Sequence, residues 1–265
     1  MVAAKRAANS DEPKPESPLA IRELEPAEER LLKELERAHT RAQIAADLAR
    51  LRILQPLYES RRKVLSEQKN FWGIALSQHH EIGEYLDHPD DAQAMSYLRD
   101  IWVERDPKEY RAFTLEFHFD ENPYFSDSVL KKSYSYTLPP ETTVKSTTPD
   151  ENGVTDIMVD FNFERDIVIS GAPINWKDES KALTKLRPRP GMDEIEKQIQ
   201  ENDDDDDDPT IDYGSFFHFF EEKEDDFDFG QSIAEEVFAD PIAFFTGEHP
   251  EARSNEAWED EEDDD

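Results

Sequence analysis

Apolar residues recur at helical spacing from about Ile21 to Asn70, far beyond the length of an average globular helix. Within that run Leu31, Leu35, Ala38, Ala42, Ala45 and Ala49 alternate spacings of four and three, the pattern of a coiled-coil seam. Its small side chains would let a second helix approach closely. Ile44, Leu48 and Leu51 make a second stripe, and two stripes on one helix predict one partner helix and one folded body to lean on. Periodicity alone fits a hairpin within one chain equally well, but no second helix of comparable length appears downstream, which favours a partner from another subunit. Pro56 stands among good helix formers with no turn cluster beside it, so a kink near Leu54 to Pro56 is expected instead of two separate helices.

Phe71 to Leu86 reads as one shorter helix, His88-Pro89-Asp90 as a turn, and Ala92 to Leu98 as a further helical turn or two. The period then changes to two. Phe113, Leu115, Phe117 and Phe119 alternate with Thr114, Glu116 and His118, which predicts a half-buried strand. Lys132 to Leu138 can return as its neighbour, Thr142 to Gly153 reads as a loop, Val154 to Phe163 alternates again, and Asp166 to Trp176 gives a less regular strand. An antiparallel sheet beside helices makes the class α+β. Phe216, Phe217, Phe219 and Phe220 need burial, and Ile233 to Phe245 predicts a last helix that Pro241 bends or divides.

Charge changes this picture at the ends. The chain has 265 residues and a formal net charge of -34, and the segment from Glu201 to Asp265 holds 27 acidic residues against only Lys223 and Arg253. Residues 1–20 are expected to be a disordered arm, about 187–210 a disordered loop carrying Asp203 to Asp208, and 251–265 an acidic tail. So acidic a chain repels nucleic acid and anionic membrane surfaces and attracts polycations. There is no cysteine, so disulfides, thiolate metal sites and cysteine nucleophiles are excluded. The N-terminus lacks the apolar run of a signal peptide, and no stretch approaches the roughly 20 apolar residues of a membrane span.

Catalytic and metal signatures are weak. Eight glycines form no phosphate-cradling loop, and there is no G-x-S-x-G elbow. Asp225, Gly230 and Glu236 fall at the first, sixth and twelfth positions of a calcium loop, yet Phe227 and Phe229 occupy positions that need oxygen ligands. His79, His80 and His88 lack zinc-protease spacing and read as surface or capping residues. The expectation is a protein that is not an enzyme and needs no cofactor and no metal.

Four segments together resemble one family. They are the long helix with Gln55-Pro56-Leu57-Tyr58 followed by basic residues, Asn70-Phe71-Trp72, Tyr110 to Phe125 with its Phe119-Asp120-Glu121-Asn122-Pro123-Tyr124-Phe125 run, and Ser215 to Phe220 followed by acids. Ile174-Asn175-Trp176-Lys177 adds to them. In this order they resemble the nucleosome assembly protein (NAP) family, in its SET branch, over roughly Leu24 to Phe245. The resemblance implies a long antiparallel dimerisation helix (21–69) carrying a compact earmuff domain (70–250), and a homodimer through Leu31, Leu35, Ala38, Ala42, Ala45 and Ala49. It implies a histone chaperone in the nucleus, with the cytoplasm also open to it, that shields core histones in nucleosome assembly. His218, Glu221, Glu222, Glu224, Asp225, Asp226 and Asp228 are the implied histone-binding residues. A second implied role is an accessory subunit of a histone acetyltransferase or an inhibitor of a phosphatase. Two departures are visible: the stretch from Thr142 to Ile169 is longer than the SET branch leads one to expect, and the acidic tail is short. Taken alone, the run after Phe220 would serve equally well as a solvated acidic loop.

Overall fold

The computed structural model describes residues 24–138, 148–191, 193–195, 197–198, 211–225 and 227–253. The predicted arm, the aspartate run Asp203 to Asp208, Asp226 and the tail beyond Arg253 lie outside them. The chain divides into two compact units, Met1–Gln43 and Ile44–Asp265, with the boundary inside the first helix.

Helix α1 (Pro26–Leu65) is a single element of 40 residues that runs through Pro56, so one helix and not two is found there. Glu28 and Glu29 in its first turn and Arg62 and Lys63 in its last suit the helix dipole. In the first unit Leu31 and Leu35, both 57% exposed, and Ala38 and Ala42 face solvent. In the second unit Ile44 is buried against Val154 and Met158, with Ala45, Leu48, Tyr110 and Val159 packed around them. The second predicted stripe therefore leans on the body, and Ala45 of the first stripe is partly spent there too. Ile53 (72% exposed), Leu57 and Val64 leave further large apolar groups in solvent.

The second unit is built on a four-stranded antiparallel sheet in the order β1-β2-β3-β4. Its strands are β1 (Leu98–Arg105), β2 (Phe113–Phe119), β3 (Val129–Tyr136) and β4 (Ile167–Ser170). The alternation in β2 is borne out, with Phe113, Leu115, Phe117 and Phe119 all buried. Strand β1 has no counterpart in the sequence reading, which ran a helix to Leu98. Its run Ile101-Trp102-Val103 is buried on both faces, so it shows no alternation. Buried Asp100 is disguised in the same way, because Arg62 of α1 pairs with it at 2.5 Å.

Three further expectations are corrected. Phe71 to Leu86 divides into α2 (Phe71–Gln78) and α3 (His80–Leu86), because His79 is extended and its Nδ1 accepts from the Ile82 N–H as a cap. His88 likewise caps α4 (Pro89–Met95), so two of the three histidines do cap helices, though His79 is buried. Val154 to Phe163 is not a strand. Thr155 caps α5 (Asp156–Val159) and Asn162 caps α6 (Phe163–Asp166), and these local side-chain bonds compete successfully with the ladder. Of Asp166 to Trp176 only β4 joins the sheet; Trp176 makes an isolated bridge to Phe125. After β4 come α7 (Leu183–Leu186) and α8 (His218–Glu221), and the last predicted helix is divided, as expected, into α9 (Phe229–Ser232), a π-helical turn at Ile233–Val237 and α10 (Pro241–Thr246), which Pro241 opens and Asp240 caps. No helix among the described residues is long and apolar enough to cross a membrane.

His79 is also where the end of the described chain docks. It bridges to Ala252, Arg253 N–H donates to the Gln78 carbonyl, and the Arg253 guanidinium grips the Asp87 carboxylate through two bonds of 2.7 and 2.8 Å. Burial holds the His79 imidazole below its ordinary pKa against the opposing pull of Glu236. A depressed value means that the folded state binds fewer protons than the unfolded chain. This contribution to stability is therefore present above the unfolded value of about 6.5 and lost as pH falls through the folded one. Urea unfolding of the native chain and of His79→Gln on either side of that value should show the larger acid loss in the native chain; equal losses would mean that His79 titrates normally.

Candidate functional site

The acidic run after Phe220 is set against the aromatic core. Phe216, Phe217, Phe219 and Phe220 are buried, the last two within α8 (His218–Glu221), and Phe220 meets Phe117 of β2 edge-on with centroids 4.9 Å apart. Ser215, also buried, donates to Asp91 at 2.6 Å, and Arg187 pairs with the same carboxylate at 2.7 Å. Burial pushes the Asp91 carboxyl up, while Ser215 and Arg187 pull it back.

From there the chain is tied down atom by atom. Lys132 of β3 is wholly buried, and its Nζ donates to the carbonyls of Glu222 and Glu224, each at 2.8 Å, with the Phe219 ring 5.1 Å away. Two of an ammonium's three donors are thus spent on the backbone of the acidic run. Gly171, just past β4, packs against the same backbone: a Cβ there would stand 2.3 Å from the Glu222 oxygen and 2.4 Å from that of Phe220. Tyr134 donates to Asp225 Oδ2 at 2.5 Å, and burial together with that carboxylate pushes its phenol up, so it stays a donor.

The side chains singled out from sequence fall into three groups. Glu221 and Asp225 turn inward. Glu221 Oε1 accepts from Ile174 N–H at 3.1 Å and Trp176 Nε1–H at 3.2 Å, and Asp225 accepts from the N–H groups of Phe229 and Gly230 as well as from Tyr134. Glu222 and His218 engage the segment Arg187 to Pro190: Glu222 pairs with Arg189 at 2.6 Å, and His218 Nε2 lies 3.1 Å from the Arg187 carbonyl. Glu224 and Asp228 are exposed, Asp228 at a left-handed φ of 53°. Asp226 lies outside the described residues. Sequence reading missed Lys132, Tyr134 and Arg189. The first was legible in principle, because Leu130, Lys132 and Tyr134 share the inward face of an alternating strand.

No group of three or more metal-ligating side chains stands together among the described residues, and Phe229, one of the two phenylalanines in the calcium-loop spacing, is buried. What the arrangement offers chemically is a fixed backbone presenting carboxylates to solvent.

A family model described as nucleosome assembly protein (NAP) matches residues 25–248. Nucleosome assembly protein 1;2 of Arabidopsis thaliana is 27% identical over 207 residues, covering 69% of this chain and 46% of that protein. Protein SET of Drosophila melanogaster is 23% identical over 196 residues, covering 73% of this chain and 61% of that one. A putative nucleosome assembly protein of Schizosaccharomyces pombe is 27% identical over 236 residues, covering 85% and 82%. The chain thus spans about half to two thirds of the length of the first two. Among solved structures, Ccp1 aligns with a TM-score of 0.54 and 24% identity over 86% of this chain and 98% of its own. The Vps75 histone chaperone aligns with 0.51 and 18% over 83% and 97%, and both likenesses support the α+β fold.

The contact at Gly171 gives a direct test of how closely the acidic run is held. Gly171→Ala should lower unfolding stability by about 1–3 kcal/mol, because the added carbon meets backbone that has no slack. A denaturant titration that finds the variant as stable as the native chain would mean that the run after Phe220 can move aside.

Proposed function

Because the chain belongs to the nucleosome assembly protein family, we propose that it is a histone chaperone, a nuclear homodimer that binds core histones through the carboxylates after Phe220 and shields their positive charge. The mechanism needs no chemistry. Occupying the basic surface of a histone lowers its non-specific capture by DNA, which rests on the same charges. The observation that carries the reading is the fixed backbone of Glu222 to Asp225, pinned by Lys132 and by the Asp225 carboxylate. A carboxylate on a fixed backbone loses little conformational entropy on meeting an arginine and can make charge-assisted bonds to it.

The inward turn of Glu221 and Asp225 narrows the surface to Glu222, Glu224 and Asp228, with Asp226 beside them in sequence. Glu224→Gln combined with Asp228→Asn removes two exposed charges without touching the core, and asparagine tolerates the left-handed backbone at 228. At about 0.15 M salt, where exposed tail charges are largely screened, this pair should weaken the binding of purified core histones by about tenfold, or ~1.4 kcal/mol. Deletion from Asn255 onward, which leaves the Arg253 anchor in place, should cost less. A deletion more damaging than the double substitution would mean binding by charge density alone.

Dimerisation through Leu31, Leu35, Ala38, Ala42, Ala45 and Ala49 is supported by the exposure of four of them in the first unit, and by the same condition at Ile53 and Leu57. Leu35→Glu with Ala42→Glu places charges in the seam, where they would lose hydration without gaining a partner. Light scattering should find a monomer whose unit from Ile44 onward keeps its fold. A stable dimer in that variant would remove this seam from the account.

A further inference from the structure

The proposed binding surface already holds a guanidinium. Arg189 lies between Pro188 and Pro190, and its Nη1 is 2.6 Å from Glu222 Oε2 while its charged carbon stands 5.6 Å from the centre of the Phe227 ring. His218 Nδ1 is 3.7 Å from the other oxygen of the same carboxylate. A carboxylate and an aromatic face converging on one arginine are what a basic protein would meet on docking here. The segment that delivers Arg189 is seated at several points. Arg187 pairs with Asp91 and Asp212, and its carbonyl accepts from Ser215 N–H at 3.1 Å. Gly214, at a φ of 81°, has no side chain because one would stand 2.9 Å from the Arg189 Cα and the Pro188 oxygen.

Resting on the histone-chaperone reading, we propose that Glu222, Phe227 and His218 form a guanidinium-binding site that Arg189 fills within the chain and that an arginine of the bound basic protein takes over. Arg187 anchors the strap, and Arg189 is the exchangeable group. Its side chain is 21% exposed, so solvent and a competing arginine can both reach it. The prolines on either side suit this role: they remove two backbone donors and hold the segment extended, so releasing the Arg189 side chain breaks no ladder of backbone bonds. Self-occupancy lowers apparent affinity by the fraction of molecules in which the site is free.

The test is a titration of purified core histones at matched salt. Arg189→Ala should bind about two- to fivefold more tightly than the native chain, the range expected from releasing a partly exposed ion pair. Lys181→Ala, which takes the same charge from an exposed position, should leave affinity nearly unchanged and so separates the site from a net-charge effect. In a Glu222→Gln background the gain from Arg189→Ala should shrink, since the carboxylate that holds Arg189 and would receive the incoming arginine is gone while the Phe227 ring remains. In the native complex the Ser215 amide should keep its hydrogen-exchange protection, because only the arginine side chain is displaced. Native binding with no gain in Arg189→Ala, or with a gain undiminished by Glu222→Gln, overturns the exchange. Failure of the native chain itself to bind histones would instead overturn the chaperone reading.

Discussion

Lys132 occupies the covered face of β3 at full burial, a position where a charge is costly unless its donors are met. The carbonyls that meet them belong to Glu222 and Glu224, ninety residues further along the chain. Losing the lysine would therefore leave two carbonyls without that donor, and losing the acidic run would take two acceptors from a buried ammonium. Each makes the other's position necessary. The sheet and the acidic surface are one construction, joined where a strand side chain meets a loop backbone.

The acidic run is consequently less uniform than its composition suggests. Glu221 and Asp225 serve as internal acceptors, tying the run to Ile174 and Trp176 on one side and to Tyr134, Phe229 and Gly230 on the other. Glu222 is shared between the body and the Arg187 to Pro190 strap, and Glu224 and Asp228 point outward. Acidic side chains thus do two jobs within one run. The anchors keep the displayed carboxylates from behaving like a solvated tail, and that difference separates specific affinity from mere attraction of a polycation.

Much of this was legible in the sequence, and the parts that were not share a cause. The long helix, its second stripe against the body and strand β2 announce themselves by periodicity, because each has one face more buried than the other, and the phenylalanine cluster announces itself by its need of burial. Strand β1 is covered on both sides, so its pattern is a block and not an alternation. The stretch from Val154 to Phe163 alternates convincingly, yet Thr155 and Asn162 cap short helical turns, a local preference that a period of two cannot express. At the site, composition identified the acidic run but could not separate anchors from displayed groups, since that depends on partners far away in sequence. Arg189 stayed hidden for a related reason: two flanking prolines read as loop, and its partner Glu222 is thirty-three residues on.

Display of the acidic surface depends on the rigidity of the backbone from Glu222 to Asp225, with Lys132 as its cause. Backbone order parameters from NMR relaxation measure both. In the native chain these residues should approach the ~0.85 of rigid backbone, and in Lys132→Met, with the sheet still folded, they should fall below ~0.6. A run that is already mobile in the native chain, or that stays rigid without the lysine, would contradict this dependence.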